Sequence, residues 1–559
     1  MAKGGSRGER MEEVVTLRGG NGAEVLVQAM HASGVEVVFA NPGTTEMHIV
    51  GALDTAGVEM RSILCLHETV CTGAADGYGR MKGKPAATLL HLGVGLANGI
   101  ANLHNARRAR SPVLNVVGEM STWIKDSDPL LNMDIEKLAE TVSGFTKTSV
   151  SARDIAQDVS DAVCLGCCKG DDSVESEEEI AQKSCVATLI VPHDFAFETN
   201  VSANLFVANP PRLLLDGAEE FISACASSLL SSGKKKAIYA AGQATLADND
   251  NFRKVGKIAA ACGAKLFCES MFSRLDRGVG YPHAARLPYF PQDAIREFSK
   301  YDMVLCIDAK KPVAMFGYEK GPVDLIPLNE DNLWEIDTTF NIESALDMLF
   351  RETGASRINP GTNCAGMFVV KESRPRAPTN GKLNAMSLCN SIARHQPENA
   401  IIVDESLTSG TNYYEASKAC PPFSHLFQTG GAIGIGPPLA VGAAIACPNR
   451  KVINIQADGS GLYSPQALWT QAKEGLDVVT VICSNRKYNI LNLELEKQKV
   501  TSSTHAENLT SLNNPPIDWV SIGKGFGVPS NKATTIAEFD DLFSKALRSQ
   551  GPHLIEAVI

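Results

Sequence analysis

Apolar positions along this chain fall into two alternating patterns. Short, nearly continuous runs rich in Val, Ile and Leu occur at 35–39, 86–90, 113–117 and 188–191, again at 236–239 and 303–307, and again at 400–403, 452–455 and 478–483. Between them, as at 22–33, apolar residues return every three or four positions, the spacing of a helix with one buried face. A strand that is apolar on both faces belongs to a sheet covered on both sides, and strands that alternate with helices pair in parallel. The expected fold class is therefore α/β, with three doubly wound parallel-sheet domains. Their expected bounds are 14–200, 203–368 and 383–559, with 369–382, where Pro375 and Pro378 stand among charges, as a linker. An acidic insertion at about 169–187, including Glu177-Glu178-Glu179, reads as a solvated loop in the first block.

Two of the runs end in residues that bear oxygen. Asp458 closes the run at 451–456, and Asn485 closes the one at 478–483, with a helical stretch at 464–475 between them. A crossover of that kind makes the two strands parallel, so both side chains stand at the carboxyl edge of a sheet, where ligands bind in open α/β folds. A carboxylate, an amide oxygen and a backbone carbonyl suit Mg²⁺ and the phosphates it accompanies. Gly459, next to Asp458, lets the backbone approach such a phosphate closely. On its own, Asp-Gly-Ser after a strand also reads as a simple turn. A second acid, Glu68, ends the run at 64–67 and opens a helical stretch of small residues. A carboxyl group between a strand and a tightly packed helix is expected to be partly buried, which suits proton exchange. The plainer reading is an acid at a helix start.

Taken in order, the motifs resemble those of the thiamine diphosphate enzymes that act on 2-oxo acids. Asp458-Gly459-Ser460 and Asn485, 27 residues apart, are similar to that family's cofactor signature, with Ala457 in place of its first glycine. Asn41-Pro-Gly-Thr44-Thr-Glu46, His67-Glu68, Leu90-His91 and Asn102-Leu-His-Asn-Ala106 resemble its pyrimidine-binding domain. The resemblance implies that Asp458, Asn485 and the carbonyl of Lys487 hold Mg²⁺. It places Gly459, Ser460, Thr408, Tyr488 and Leu491 around the cofactor. It assigns Glu68 to the pyrimidine nitrogen, the carbonyl of Gly431 to the pyrimidine amine, and Ile433 to the apolar wedge that bends the cofactor. It further implies a homodimer or homotetramer, because the two cofactor halves come from different subunits in the family.

Within the family, the pocket motifs are most similar to those of benzoylformate decarboxylase. Thr44 and His91 then stand where a hydroxyl and an imidazole contact substrate and relay protons, and His283 is a further candidate whose alignment needs a gap. Leu491, Leu493 and Leu495 either line an apolar pocket or form one edge of a strand or helix. The expected activity is decarboxylation of a 2-oxo acid to an aldehyde, with carboligation as a side reaction, and a pocket lined by Leu491 and Leu493 would suit a medium-sized apolar or aromatic acid. The alternatives are an acetolactate synthase-type carboligase and, from another class, a binding or regulatory homologue without turnover. Some relatives bind FAD in the middle domain; the weak phosphate-loop candidate here, Ala240-Ala-Gly-Gln243, leaves flavin undecided.

Composition narrows the partners. A net charge of −11, with no basic block beyond Arg107-Arg108-Ala109-Arg110, argues against nucleic acid. Fifteen cysteines read as reduced, buried thiols, and the polar opening lacks a signal peptide, so a cytoplasmic location is expected. The uncharged stretch 426–449 is rich in Gly and Pro, which suits a buried loop and a close-packed helix better than a bilayer span.

Overall fold

The computed structural model describes residues 13–18, 20–167, 185–207, 218–361, 366–376, 380–500 and 503–559. Most of the acidic insertion expected at 169–187 lies outside these residues. Three parallel sheets with helices on their faces form the body of the molecule, so the α/β expectation is met. The first sheet runs, in spatial order, Arg61–Leu64, Val37–Asn41, Ala86–Leu90, Val113–Glu119, Val186–Pro192 and Phe145–Thr148, all parallel. The second runs Ala285–Arg286, Lys265–Cys268, Lys236–Ala240, Met303–Ile307 and Leu333–Ile336, also parallel. The third runs Arg274–Arg277, Phe423–Phe427, Ile401–Glu405, Val452–Ala457, Val478–Ser484, His553–Val558 and Ser530–Ala533. Its first member is antiparallel to the rest and comes from the chain segment that otherwise builds the second sheet. A small antiparallel pair, Glu13–Arg18 with Ser202–Val207, closes the first block.

Each sheet has a point where the chain, having gone to one side, returns to the other. In the first sheet it lies between Val37–Asn41 and Ala86–Leu90; in the third, between Ile401–Glu405 and Val452–Ala457. Crevices at such points, at the carboxyl ends of the strands, are the natural ligand positions of this architecture.

The first and third sheets meet through helices. Glu68–Lys82 is buried along nearly its whole length and packs on Leu92–Ala109 and on Gly436–Ala446. The contact is close enough that a Cβ on Gly442 would stand 1.9 Å from the carbonyl oxygen of Ala74, and one on Gly77 2.3 Å from that of Leu439. The uncharged stretch 426–449 resolves into a buried strand end, a partly exposed loop, this wholly buried 11-residue helix and an exposed turn after it. Among the described residues, no helix is long and apolar enough to cross a membrane. Arg80, 1% exposed, joins all three units: it pairs with Asp76 and donates to the carbonyls of Ser273 and Phe427 and to Thr429 Oγ1.

Candidate functional site

The site residues fall into two groups, one at the crevice of the first sheet and one at the crevice of the third. In the first, the strand Val37–Asn41 leads into Gly43 and a single turn, Thr44–Glu46. The neighbouring strand Ala86–Leu90 leads into His91. Glu46 is 0% exposed, and its carboxylate accepts from the Gly43 amide (2.7 Å) and from Thr45 Oγ1 (2.6 Å). His91 Nδ1 lies 2.9 Å from Glu46 Oε2. With Nδ1 engaged by a carboxylate, the other ring nitrogen, Nε2, is the one available to a substrate. Thr44, expected beside His91, is exposed at the mouth of the turn; the hydroxyl near the imidazole is that of Thr45, at 3.4 Å.

Glu68 is the first residue of its helix, with His67 Nδ1 accepting from the Thr69 amide as the cap. Only 8% exposed, it accepts from Asn98 Nδ2 at 3.1 Å. Glu68 and His91 flank one glycine: a Cβ on Gly95 would meet Glu68 Oε1 at 3.1 Å and His91 Cβ at 3.5 Å. The strip beside them, Leu64, Leu66 and Val94, is exposed and apolar.

The second group forms around Asp458. Its carboxylate accepts from the amides of Gly459 (3.0 Å) and Arg486 (2.6 Å). Arg486 holds φ +58, so the chain turns sharply after Asn485, whose Oδ1 accepts from the Lys487 amide at 3.0 Å. Burial pushes the Asp458 carboxyl up to about 6, against the pull of those amides. Asn485 Nδ2 reaches Ser409 Oγ at 3.4 Å, and Asn489 Nδ2 reaches Thr408 Oγ1 at 3.4 Å, which brings the Leu407–Gly410 turn against the Asp458 loop. Tyr488 covers Gly459, where a Cβ would stand 2.5 Å from its ring. Ser460 turns its hydroxyl inward, accepting from Gln456 Nε2 at 2.7 Å.

Residues 428–435 form a loop between the strand Phe423–Phe427 and the Gly436–Ala446 helix. Gly431 (φ +79) is exposed with open space around it, and Ile433 is half-buried. Leu491 lies in the first turn of a helix, Asn489–Lys497, and is 46% exposed. Because this segment is helical, Leu495 shares Leu491's face while Leu493 points about 200° away, so the three do not line one wall. His283 joins neither group: burial pushes it down to about 4, and its Nε2 faces Glu415 at 3.5 Å.

The oxygen donors of Asp458, Asn485 and the Lys487 carbonyl fit a hard cation such as Mg²⁺. The second sheet fits a flavin diphosphate poorly. At its crevice the Gly242 amide is taken by Glu269 at 3.2 Å, and a Cβ on Gly242 would lie 2.2 Å from the Asp308 carboxylate. Two acids thus occupy the turn that a diphosphate would have to approach.

Comparison with known proteins bears on the family and the fold. Residues 20–138 match the thiamine pyrophosphate enzyme N-terminal TPP binding domain, and residues 409–557 match the C-terminal TPP binding domain. The chain is 39% identical, over 96% of its own length and 99% of the relative's, to IlvX of Mycobacterium tuberculosis, a protein named after the acetolactate synthase large subunit. The chain belongs to the thiamine pyrophosphate enzyme family. It is also 26% identical to benzoylformate decarboxylase of Pseudomonas aeruginosa, over 95% of this chain and 97% of that one. Among solved structures, the thiamine diphosphate-dependent 4-hydroxybenzoylformate decarboxylase of Rhodococcus jostii RHA1 superposes with a TM-score of 0.78 at 22% identity, covering 96% of this chain and 99% of that one. At that identity the likeness speaks for the fold.

Sequence reasoning missed Glu46, Thr45, Asn98 and Ser409 as parts of the two groups. Glu46 was within reach, since it lies in the motif that carries Thr44.

Proposed function

We propose that this thiamine pyrophosphate enzyme is a Mg²⁺-dependent decarboxylase of a medium-sized apolar or aromatic 2-oxo acid. The observation that carries the reading is the His91–Glu46 pair beside Glu68, around Gly95. It sets an oriented imidazole next to the acid that the family's chemistry uses, as protonation of a product carbon requires. When bound, thiamine diphosphate supplies a thiazolium carbanion and takes up the electrons freed as carbon dioxide leaves.

The chain's own residues divide the work. Asp458, Asn485 and the Lys487 carbonyl hold the cation. Gly459, Thr408 and the backbone at Ser460 receive the diphosphate, with Tyr488 packed over Gly459. Glu68 would hold a proton for the pyrimidine end of the cofactor, the Gly431 carbonyl would accept from its amine, and Ile433 would pack against it as the apolar wedge. His91 delivers the proton that completes the aldehyde, Thr44 and Thr45 offer hydroxyls at the mouth, and Leu491 forms an apolar wall. His283 is left out, as is flavin. Among the described residues no hydrogen bond joins the Glu68 group to the Asp458 group within one chain, which supports a homodimer or larger as the unit, with each site built from two copies.

Carboligation of two 2-oxo acids is the second reading, favoured by the 39% identity to IlvX. The deciding experiment supplies the purified protein with thiamine diphosphate, Mg²⁺ and a panel of 2-oxo acids from pyruvate to benzoylformate, and identifies both carbon dioxide and the organic product. An aldehyde from an aromatic member is expected. Release of carbon dioxide with only a coupled acyloin or acetolactate would transfer the assignment to the second reading, and no turnover with any acid would remove both.

A further inference from the structure

The segment Asn102-Leu-His-Asn-Ala106 has so far been given no task, yet it lies against the loop that carries Gly431 and Ile433. That loop has no regular secondary structure between Phe427 and Gly436, and Gly431 and Gly434 hold φ of +79 and +94. A stretch so rich in glycine has many accessible conformations, and something outside it must select one.

His104 Nε2, 3.1 Å from the Gly430 carbonyl, and Ser464 Oγ, donating to that of Gly434, hold two of its carbonyls, and two further side chains hold its amides from opposite sides. From the third sheet, Glu405 is fully buried at the end of its strand and accepts from the amides of Gly434 (2.6 Å) and Gly436 (2.7 Å). From the first block, Asn105, 0% exposed on the Leu92–Ala109 helix, does the same one turn earlier in the loop. Its Oδ1 accepts from the amides of Gly430 (3.1 Å) and Ala432 (3.3 Å), and its Nδ2 donates to the Ala432 carbonyl (2.8 Å) and to Asn102 Oδ1 (3.0 Å). All four hydrogen-bonding positions of the amide are thereby used. The fit is close: a Cβ on Gly430 would stand 2.6 Å from Asn105 Oδ1. Asn102 in turn donates to the carbonyl of Thr69, next to Glu68, at 2.8 Å, and Asn98 donates to Glu68 itself. Positions 98, 102 and 105 lie on one helix face, so a single row of amides runs from Glu68 to the loop.

We propose that Asn105 is a positioning residue that fixes the height of the Gly431 carbonyl and of Ile433, and through them the affinity for the cofactor. The inference rests on the thiamine diphosphate reading above. Removing the Asn105 amide takes the partners of Gly430 N, Ala432 N and Ala432 O in a half-buried loop, which then regains conformations that those bonds exclude.

The test compares the intact wild-type protein with N105A and N105D. It uses calorimetric titration of thiamine diphosphate at fixed Mg²⁺, near-ultraviolet circular dichroism of the bound cofactor, steady-state kinetics and a melting curve. N105A is expected to raise the Kd for thiamine diphosphate at least tenfold and to change the dichroism of the bound cofactor. N105D keeps the acceptor and loses both donors, so it is expected to fall between N105A and wild type; it decides the matter if N105A cannot be purified. A role limited to stability would lower the melting temperature and leave Kd and the cofactor KM alone. Variants that bind thiamine diphosphate within twofold of wild type, with unchanged dichroism, overturn the inference. Absence of binding by the wild-type protein instead overturns the reading on which it rests.

Discussion

Replacing Gly43 by Ala tests the first crevice with little else disturbed. Gly43 has φ −110 and ψ −164, extended backbone open to any residue, so the added methyl brings no conformational strain of its own. What it meets is the imidazole: the new Cβ would stand 2.2 Å from His91 Nδ1, 2.3 Å from Cγ and 2.4 Å from Cε1. Carbon contacts settle near 3.5 Å, so the ring has to retreat by more than about 1 Å. The 2.9 Å contact with Glu46 then exceeds hydrogen-bond range. A buried carboxylate that loses a partner costs about 1–3 kcal/mol, and a misplacement of ~1 Å at a reacting group costs on the order of 10²-fold in rate. The expected result is a kcat lowered about 100-fold, equivalent to ~2.7 kcal/mol in the barrier, with thiamine diphosphate affinity unchanged. Initial rates of aldehyde formation at saturating cofactor, together with a calorimetric Kd, measure both. Gly51→Ala on the following helix, where a Cβ meets nothing within 4 Å, is the control. A folded Gly43→Ala protein with kcat within threefold of wild type, or one that loses cofactor affinity in proportion, would refute the argument.

Three further outcomes are expected. Leu491→Ala should shift kcat/KM toward bulkier 2-oxo acids while Leu493→Ala leaves selectivity unchanged; equal effects would show that the helical phase of 489–497 does not govern the pocket. His425 is wholly buried 3.3 Å from Asp404 and is pushed down to about 4 by burial, while an unfolded histidine titrates near 6.5. Its contribution, about 3 kcal/mol, is complete above pH ~6.5 and is lost as the pH falls toward 4; urea denaturation across that window should show the slope, and His425→Gln should flatten it. Co-expression of Glu68→Gln with Asp458→Asn, each inactive alone, should restore about a quarter of wild-type activity if sites form between copies, because half the dimers then carry one intact site of two. No rescue would place each site within one chain.

The sequence was most readable where local pattern and function coincide. Asp458 and Asn485 follow strands that are apolar on both faces, and such runs are recognisable without knowing their neighbours. The same holds for His91 after Ala86–Leu90. The partners that orient these groups were not readable, because their role depends on distant residues. Glu46 sits in a Gly-Thr-Thr-Glu turn that looks like an ordinary helix start, and its imidazole partner lies 45 residues on. Asn105 meets its partners more than 320 residues away. Thr44 and Thr45 differ only in the phase of a single turn, which composition does not resolve. The Leu491, Leu493 and Leu495 alternation has the period of a strand, yet the segment after the Asn485 turn is helical, and Leu493 is carried to the other side. The strand Arg274–Arg277 is too short and too charged to be recognised, and its place at a sheet edge is where charge is tolerated.

The two crevices have a common origin and a common deficiency. In both the first and the third sheet the chain lays down its opening strand, adds the next on one side and returns to the other, so each sheet has its crevice beside its opening strand. One crevice offers an acid and an imidazole; the other offers oxygen donors and glycine backbone. A cofactor with a basic ring at one end and a diphosphate at the other needs both. Within a single chain the sheets are joined by the Glu68–Lys82 and Gly436–Ala446 helices, packed so closely at Gly77 and Gly442 that a single methyl group does not fit between them. On the proposed two-copy arrangement each crevice is completed by the partner copy, and the exposed apolar residues Leu64, Leu66 and Val94 near Glu68 are the surface that copy would cover. A second copy of the chain brings the complementary crevice with it, which is why rescue between Glu68→Gln and Asp458→Asn is the result that discriminates most sharply.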